Sequence, residues 1–61
     1  MTTVTDYQIA AAMVMFGGSF CQALGRLYQL ADDINQAKIR AAFALEWEAY
    51  REVVRLKTKA L

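Results

Sequence analysis

Apolar residues in the first half of the chain recur with the spacing of a helix. They follow one another at alternating intervals of four and three residues, which is typical of a helical seam that packs against another helix. This first row comprises Ile9, Met13, Phe16, Phe20, Ala23, Leu27 and Leu30. The pattern predicts one long helix over about residues 4–31, which Thr3 or Thr5 can cap.

A second apolar row runs beside the first. It comprises Ala10, Val14, Gly17, Cys21, Leu24, Tyr28 and Ala31. Two adjacent rows form an apolar face that is wider than one partner helix can cover. We therefore expect the first row to pack on a second helix of the same chain, and the second row to pack on another subunit.

Three glycines, Gly17, Gly18 and Gly25, lie inside this predicted helix. A glycine in a helix interior costs about 1 kcal/mol relative to alanine. Two interpretations stay open at this point. The glycines are either tolerated, or they let another helix backbone approach closely, and we adopt the second interpretation as the working hypothesis.

Two aspartates separate this helix from a second one. Asp33 is the expected N-cap, with Gln36 as its capping-box partner, and Asp32 or Asn35 is the alternative cap. The second helix is predicted over about residues 34–58. Its apolar stripe comprises Ile39, Ala42, Phe43, Trp47, Ala49, Tyr50, Val53, Val54 and Leu56. Because the turn is so short, the two helices are predicted to run antiparallel as a hairpin.

The predicted fold is all-α: residues 1–61 form one helical-hairpin domain that dimerises into a four-helix arrangement. A chain of 61 residues buries too little surface to be comfortably stable alone. Small folds compensate with disulfides, metals or oligomerisation. The single cysteine and the absence of histidine leave oligomerisation as the expected stabiliser, and a hydrophobic content of 57% points the same way.

The core and the dimer interface are expected to share one set of residues. They are Met13, Phe16, Gly17, Phe20, Cys21, Leu24, Leu27, Phe43, Trp47 and Tyr50. On this interpretation Phe20→Asp or Leu27→Asp abolishes folding and dimer formation together.

Glu46 is an acidic residue inside the apolar stripe of the second helix. A carboxylate that is buried there needs a polar partner. Folding the hairpin about residues 32–33 places Ser19 and Gln22 opposite Glu46, where both can donate hydrogen bonds. Glu46 then either reaches solvent at the edge of the seam or fixes the register of a dimer as a buried polar group. A catalytic role is the least supported, because no second acid, base or nucleophile accompanies it.

Candidate chemistry is otherwise sparse. The sequence contains no catalytic, metal or cofactor motif, so we expect a protein that is not an enzyme and has no cofactor. Trp, Tyr and Arg dominate the energetically important positions of protein interfaces. The candidate partner contacts are therefore Tyr28, Arg26, Trp47 and Arg51.

Charge and hydropathy suggest two alternative functions, which are nucleic-acid binding and action on a membrane. The basic C-terminal end could contact nucleic acid, but the interleaved Glu48 and Glu52 weaken its positive field. Its cations are Arg51, Arg55, Lys57 and Lys59. The uncharged stretch over residues 7–25 contains too many polar residues for a clean membrane span. No basic region opens a secretory signal, so a cytoplasmic location is expected.

Residues 30–53 carry a resemblance to a known class of proteins. The matching elements are Ala31-Asp32-Asp33 at the turn, Ile39-Arg40-Ala41-Ala42-Phe43 after it, and the aromatic pair Trp47 and Tyr50. The segment resembles the anti-quorum-sensing inhibitor proteins of temperate Pseudomonas-type phages. This resemblance implies a dimeric helical hairpin in the host cytoplasm. It also implies a host target such as a quorum-sensing transcription regulator or a pilus-assembly ATPase.

Overall fold

The computed structural model describes the backbone of residues 3–60 and the side chains of residues 3–57. Within these residues the chain forms helices only. The helices are α1 (Asp6–Phe16), α2 (Ser19–Leu30), α3 (Asp33–Ala42) and α4 (Ala44–Ala60). The all-α prediction is confirmed. The two-helix hairpin is not, because each of the two long predicted helices is divided once.

Side-chain caps fix the starts of α1 and α3. Thr5 Oγ1 accepts a hydrogen bond from the Gln8 amide at 3.2 Å, and Gln8 Oε1 accepts from the Thr5 amide at 2.8 Å. This reciprocal pair is a capping box, which satisfies amide groups that a helix start leaves free. At α3 the cap is Asp32, the alternative to Asp33, and its Oδ1 accepts from the Asn35 amide at 2.8 Å.

The first predicted helix is divided at Gly17 and Gly18, where the backbone is extended. The break folds α2 back along α1, and Gly17 lies in the crowded corner. A Cβ atom on Gly17 would lie 2.5 Å from the Met13 carbonyl oxygen and 2.6 Å from Cys21 Cβ. Only glycine fits this corner without a shift of its neighbours.

Gly25 makes the close helix approach that the sequence suggested, but within one chain. A Cβ atom there would lie 2.6 Å from the Ala10 carbonyl oxygen and 3.1 Å from Met13 Cβ. The backbones of α1 and α2 therefore come together at this point, because the missing side chain leaves room for the facing helix.

The second predicted helix is divided at Phe43, which has φ −119° and ψ 42°. Helical hydrogen bonding continues across this position. The Phe43 amide donates to the Ile39 carbonyl at 3.0 Å, and the Trp47 amide donates to the Phe43 carbonyl at 2.9 Å. The Phe43 ring packs edge-on against Phe20 of α2, with ring centroids 5.7 Å apart.

The core is centred on α1, which packs against α2 on one side and α4 on another. Ile9 and Met13 are fully buried. The buried cluster comprises Ile9, Ala10, Met13, Leu24, Tyr28, Ile39 and Trp47. A short apolar core of this kind leaves much of a hydrophobic sequence on the surface.

On α2 the two apolar rows take roles opposite to those predicted. Leu24 and Tyr28 of the second row are buried in the core, whereas Phe20, Leu27 and Leu30 of the first row are exposed. The fold-back at the glycine pair is the cause. It brings the second row of α2 against α1 of the same chain and turns the first row outward.

Candidate functional site

Asp6 is the centre of a polar cluster that joins three helices. Trp47 Nε1 donates a hydrogen bond to Asp6 Oδ1 at 2.9 Å. Arg40 Nη1 lies 3.6 Å from Asp6 Oδ2, and Arg51 Nη2 lies 3.9 Å from Asp6 Oδ1. The carboxylate is held in the first turn of α1, where the helix dipole also favours a negative charge. One side chain thus links α1 to α3 and α4.

Gln36 and Tyr28 extend this cluster to α2. Gln36 Nε2 donates to the Tyr28 carbonyl at 3.1 Å and to the Tyr7 hydroxyl at 3.2 Å. Arg40 Nη1 donates to the Tyr28 hydroxyl at 3.2 Å. The Tyr28 ring also contacts the Trp47 ring, with centroids 4.8 Å apart. Every buried side-chain nitrogen and oxygen in the described residues has a hydrogen-bond partner. The cluster therefore serves to hold the helices together.

The candidate partner contacts do not form one surface. Tyr28 and Trp47 are only 2% exposed, so their rings contact other residues of the chain. The Arg51 side chain is engaged by Asp6 and by Glu48, which lies 3.3 Å from Arg51 Nε. Arg26 is exposed on α2 and enters no ion pair within the described residues.

Glu46 is half-buried in the first turn of α4. The expected pairing with Ser19 and Gln22 is not formed. Ser19 is exposed at the start of α2, and Gln22 Nε2 donates instead to the Gly17 carbonyl at 3.0 Å. The prediction assumed two unbroken helices facing each other, and the fold-back at the glycine pair moves α2 out of that register.

Cys21 and Tyr50 meet beside the glycine corner, and both are half-buried. The Tyr50 hydroxyl oxygen would lie 3.1 Å from a Cβ atom on Gly17. Burial raises the pKa of the Tyr50 hydroxyl, and the neighbouring Cys21 thiol raises it further. These two side chains fill the corner between α1, α2 and α4.

Arg51, Arg55 and Lys57 of α4 lie next to acidic or aromatic groups. Arg55 pairs with Glu52, and the hydrogen bond from Arg55 lowers the pKa of the Glu52 carboxyl. Lys57 Nζ lies 4.5 Å from the centre of the Phe16 ring. Lys59, the last member of the predicted basic end, has a side chain outside the described residues. The two arginines of this end are thus partly neutralised, as the interleaved glutamates predict.

Two exposed apolar surfaces formed by the described residues lie outside the core. The first, the α2–α3 surface, contains a hollow of about 260 Å³. The hollow is lined by Leu27, Leu30, Ala31, Asn35, Lys38 and Ile39. Phe20 and Ile34 are exposed on the same two helices, and we include them in this surface.

The second surface, the α1–α4 groove, has a volume of about 240 Å³. It is lined by Gln8, Ala11, Ala12, Met15, Phe16, Val53, Val54 and Lys57. Both hollows are smaller than the roughly 300–1,000 Å³ of sites that enclose small molecules. Their size and apolar walls suit single side chains of a protein partner.

The hydrophobic pattern did not predict Ile34, Lys38 and Met15 as surface-site residues. The reason is that Gly17 and Gly18 were interpreted as part of one continuous helix. Two consecutive glycines mark turns and loops as strongly as they mark close helix contacts. A fold-back at Gly17 and Gly18 would have turned the first row of α2 outward and indicated the α2–α3 surface.

No protein-family model, curated protein or solved structure matches the chain. Among the helices that the structure describes, none is long and apolar enough to cross a membrane. In the same residues, no three His, Cys, Asp or Glu side chains lie close enough together to hold a metal ion.

Proposed function

We propose that the chain is a protein-interaction module that acts as a homodimer, with the α2–α3 surface as its dimer interface. The observation that carries this proposal is a set of large exposed apolar side chains on α2 and α3. Leu27 and Leu30 line the hollow, and Phe20 and Ile34 are exposed on the same two helices. Contiguous apolar surface of this kind on a small protein marks a site of association.

The α2–α3 surface suits a second copy because it combines projecting and recessed parts. In a two-fold dimer the same patch contacts itself, so it must supply both. Leu30 is 86% exposed and Ile34 is 71% exposed, and Leu30 itself borders the hollow. The Leu30 and Ile34 side chains of one copy can therefore enter the hollow of the other copy.

Exposed charges of both signs also occur on α3. Lys38 lines the hollow, and Asp33 is exposed one turn and a half before it on α3. Within the described residues neither side chain takes part in an ion pair. A two-fold pairing brings Lys38 of one copy towards Asp33 of the other, and opposite charges of this kind fix the register of an interface.

The test compares two leucines of equal exposure. Leu30 is 86% exposed on the proposed interface and Leu45 is 85% exposed outside it. In sedimentation equilibrium we expect the wild-type chain and Leu45→Asp to dimerise. Leu30→Asp should raise the dimer dissociation constant by at least about 30-fold, the cost of about 2 kcal/mol for a central interface residue. A wild-type monomer at all concentrations, or equal loss in both variants, would refute the proposal.

Charge reversal gives a second measurement on the same interface. Lys38→Asp and Asp33→Lys should each weaken the dimer several-fold, because each places like charges together. The double variant should recover most of the wild-type affinity. Failure of the double variant to recover affinity would argue against the pairing of Lys38 with Asp33.

The target of the dimer is proposed from the resemblance of residues 30–53 to phage inhibitors. On that basis the dimer occupies the surface of a host protein in the cytoplasm, such as a quorum-sensing transcription regulator or a pilus-assembly ATPase. The direct test is titration of such a purified protein with the chain. Unchanged DNA binding by the regulator and unchanged turnover by the ATPase would contradict this part of the proposal.

A further inference from the structure

We propose that the α1–α4 groove is a second docking site, which binds an acidic amphipathic helix of another protein. This inference rests on the proposed interaction role and adds the chemistry of a partner that is not a second copy of the chain. Three observations support it. They are the lining of the groove, the one cation among the described residues that line it, and the positive charge of Arg26 on the exposed apolar row of α2.

The walls of the groove suit apolar side chains from one face of a helix. Its lining combines the small Ala11 and Ala12 of α1 with the larger Met15 and Phe16 of the same helix, and Val53 of α4 completes it. An amphipathic helix places its apolar face in a groove between two helices, with side chains at intervals of three and four residues entering it. The exposed, flexible Met15 side chain adapts to the shape of such an insert.

Lys57 sets the charge of the partner. It is the one ionised side chain that lines the groove in the described residues, and its ammonium group lies over the Phe16 ring. No carboxylate of those residues pairs with it. A helix that covers the groove removes water from this ammonium group, and a desolvated cation needs an acidic partner. The bound helix therefore carries Asp or Glu opposite Lys57.

The charge at Lys57 disfavours the chain itself as the occupant. The exposed apolar row of α2 is the element that could enter the groove of a second copy, and its exposed charge is Arg26. Arg26 would bring a second positive charge towards Lys57, and like charges cost free energy at an interface. The groove thus differs from the α2–α3 surface, where α3 supplies the exposed Asp33 as well as Lys38.

The experiment uses two designed peptides and the full chain. Each peptide has about 18 residues, or five helical turns. Both have leucines on one face, and one has glutamates where the other has lysines on the flanking positions. Fluorescence anisotropy of the labelled peptides measures their affinity. We expect the acidic peptide to bind at least about tenfold more tightly, which corresponds to about 1.4 kcal/mol.

Two variants test whether the peptides bind in the α1–α4 groove. Lys57→Glu should reverse the preference, so that the basic peptide binds more tightly, and should leave sedimentation of the dimer unchanged. Leu30→Asp should weaken the dimer and leave peptide binding unchanged. Failure of the dimer proposal and failure of this inference are thereby distinguished.

Three results would overturn the inference. They are equal binding of the two peptides, no binding of the acidic peptide at about 100-fold the concentration of protein, and binding that Lys57→Glu does not change. Vesicles of phosphatidylglycerol and phosphatidylcholine form a further arm. If they bind in a Lys57-dependent way and the acidic peptide does not, the groove contacts a lipid surface instead. Methyl NMR shifts confined to Met15, Val53 and Val54 on adding the acidic peptide would support the inference.

Discussion

At Gly25 the backbones of α1 and α2 lie closer than any side chain permits. An added methyl group would meet the Ala10 carbonyl oxygen at 2.6 Å and Val14 Cγ2 at 3.0 Å. Gly25→Ala gains about 1 kcal/mol of helix propensity but forces the helices apart, which costs about 1–3 kcal/mol. We expect a net loss of up to about 2 kcal/mol in the free energy of unfolding, measured by urea denaturation and circular dichroism.

The matched control for Gly25 is Gly18. A Cβ atom on Gly18 would meet nothing within 4 Å, and its φ of −76° suits any residue. Gly18→Ala should therefore change stability by less than about 0.5 kcal/mol, because a poorer cap offsets a less flexible unfolded chain. Equal effects of the two substitutions would contradict the close approach at Gly25.

Asp6 provides a second prediction at the residue scale. Asp6→Asn keeps an oxygen acceptor for Trp47 Nε1 and removes the charge that Arg40 and Arg51 surround. Because the Asp6 side chain is about one-third exposed, we expect a loss of only about 0.5–1 kcal/mol. Asp6→Ala should cost about 1–3 kcal/mol, since the Trp47 donor is then left unsatisfied.

Added salt distinguishes the ion-pair contribution of Asp6 from its hydrogen-bond contribution. Thermal unfolding in about 1 M NaCl, where the Debye length is about 3 Å, should reduce the difference between wild type and Asp6→Asn. The difference between Asp6→Asn and Asp6→Ala should persist, because it reflects a hydrogen bond. A salt-independent cost of Asp6→Asn would show that the arginines contribute nothing.

Local residue pairs were predictable, whereas the Asp6 cluster was not. The Thr5 cap and the pairs Glu48–Arg51 and Glu52–Arg55 span three residues, so helix geometry alone predicts them. The bond from Trp47 to Asp6 spans 41 residues. Such a contact depends on where α4 lies against α1, which no local pattern specifies.

At the scale of elements, the glycine pair decides between one helix and two. Hydrophobic periodicity runs through Gly17 and Gly18 without a break, so it predicts a continuous helix. Periodicity records which residues face an apolar neighbour, and a helix that folds back on itself needs the same apolar residues as one that packs on a second chain. Hydrophobic periodicity therefore could not predict the helix breaks after Phe16 and Ala42.

Replacing both glycines tests this choice. Gly17→Ala combined with Gly18→Ala adds about 2 kcal/mol of helix propensity. It also places a Cβ atom 2.5 Å from the Met13 carbonyl oxygen in the folded-back form. We expect α1 and α2 to join into one helix. Small-angle scattering, in a Leu30→Asp background to keep the chain monomeric, should then give a radius of gyration well above the 11.0 Å of the present fold.

An unchanged radius of gyration would mean that the packing of α2 on α1 outweighs helix propensity at the glycine pair. Gly18→Ala alone is the control in this experiment. Its Cβ atom meets no neighbour, so it should leave the folded-back form intact.

For the whole molecule, composition predicted a surplus of apolar surface but not its location. A hydrophobic content of 57% exceeds what the small core accommodates, and Phe20, Leu27 and Leu30 are among the exposed side chains. The sequence predicts that they pack inside the chain, because the first apolar row is expected to face the second helix of the same chain. Their exposure changes the expected effect of substituting them.

Phe20→Asp and Leu27→Asp should spare the monomer, contrary to the expectation from sequence. Both side chains are more than half exposed, so a charge at either position is solvated in the folded chain. We expect far-UV circular dichroism to remain helical. Unfolding temperatures that rise with protein concentration for the wild type should become independent of concentration. Loss of helical ellipticity in both variants would restore the original expectation.

The bond between Trp47 and Asp6 also orders events during folding. The contacts of α1 with α2 are local, whereas α1 and α4 close a loop of 41 residues through this bond. Local contacts form faster than contacts that must first close a long loop. Helices α1 and α2 can therefore pair before α4 docks on α1. The single tryptophan becomes buried when α4 docks, so its fluorescence reports the moment at which the chain completes its fold.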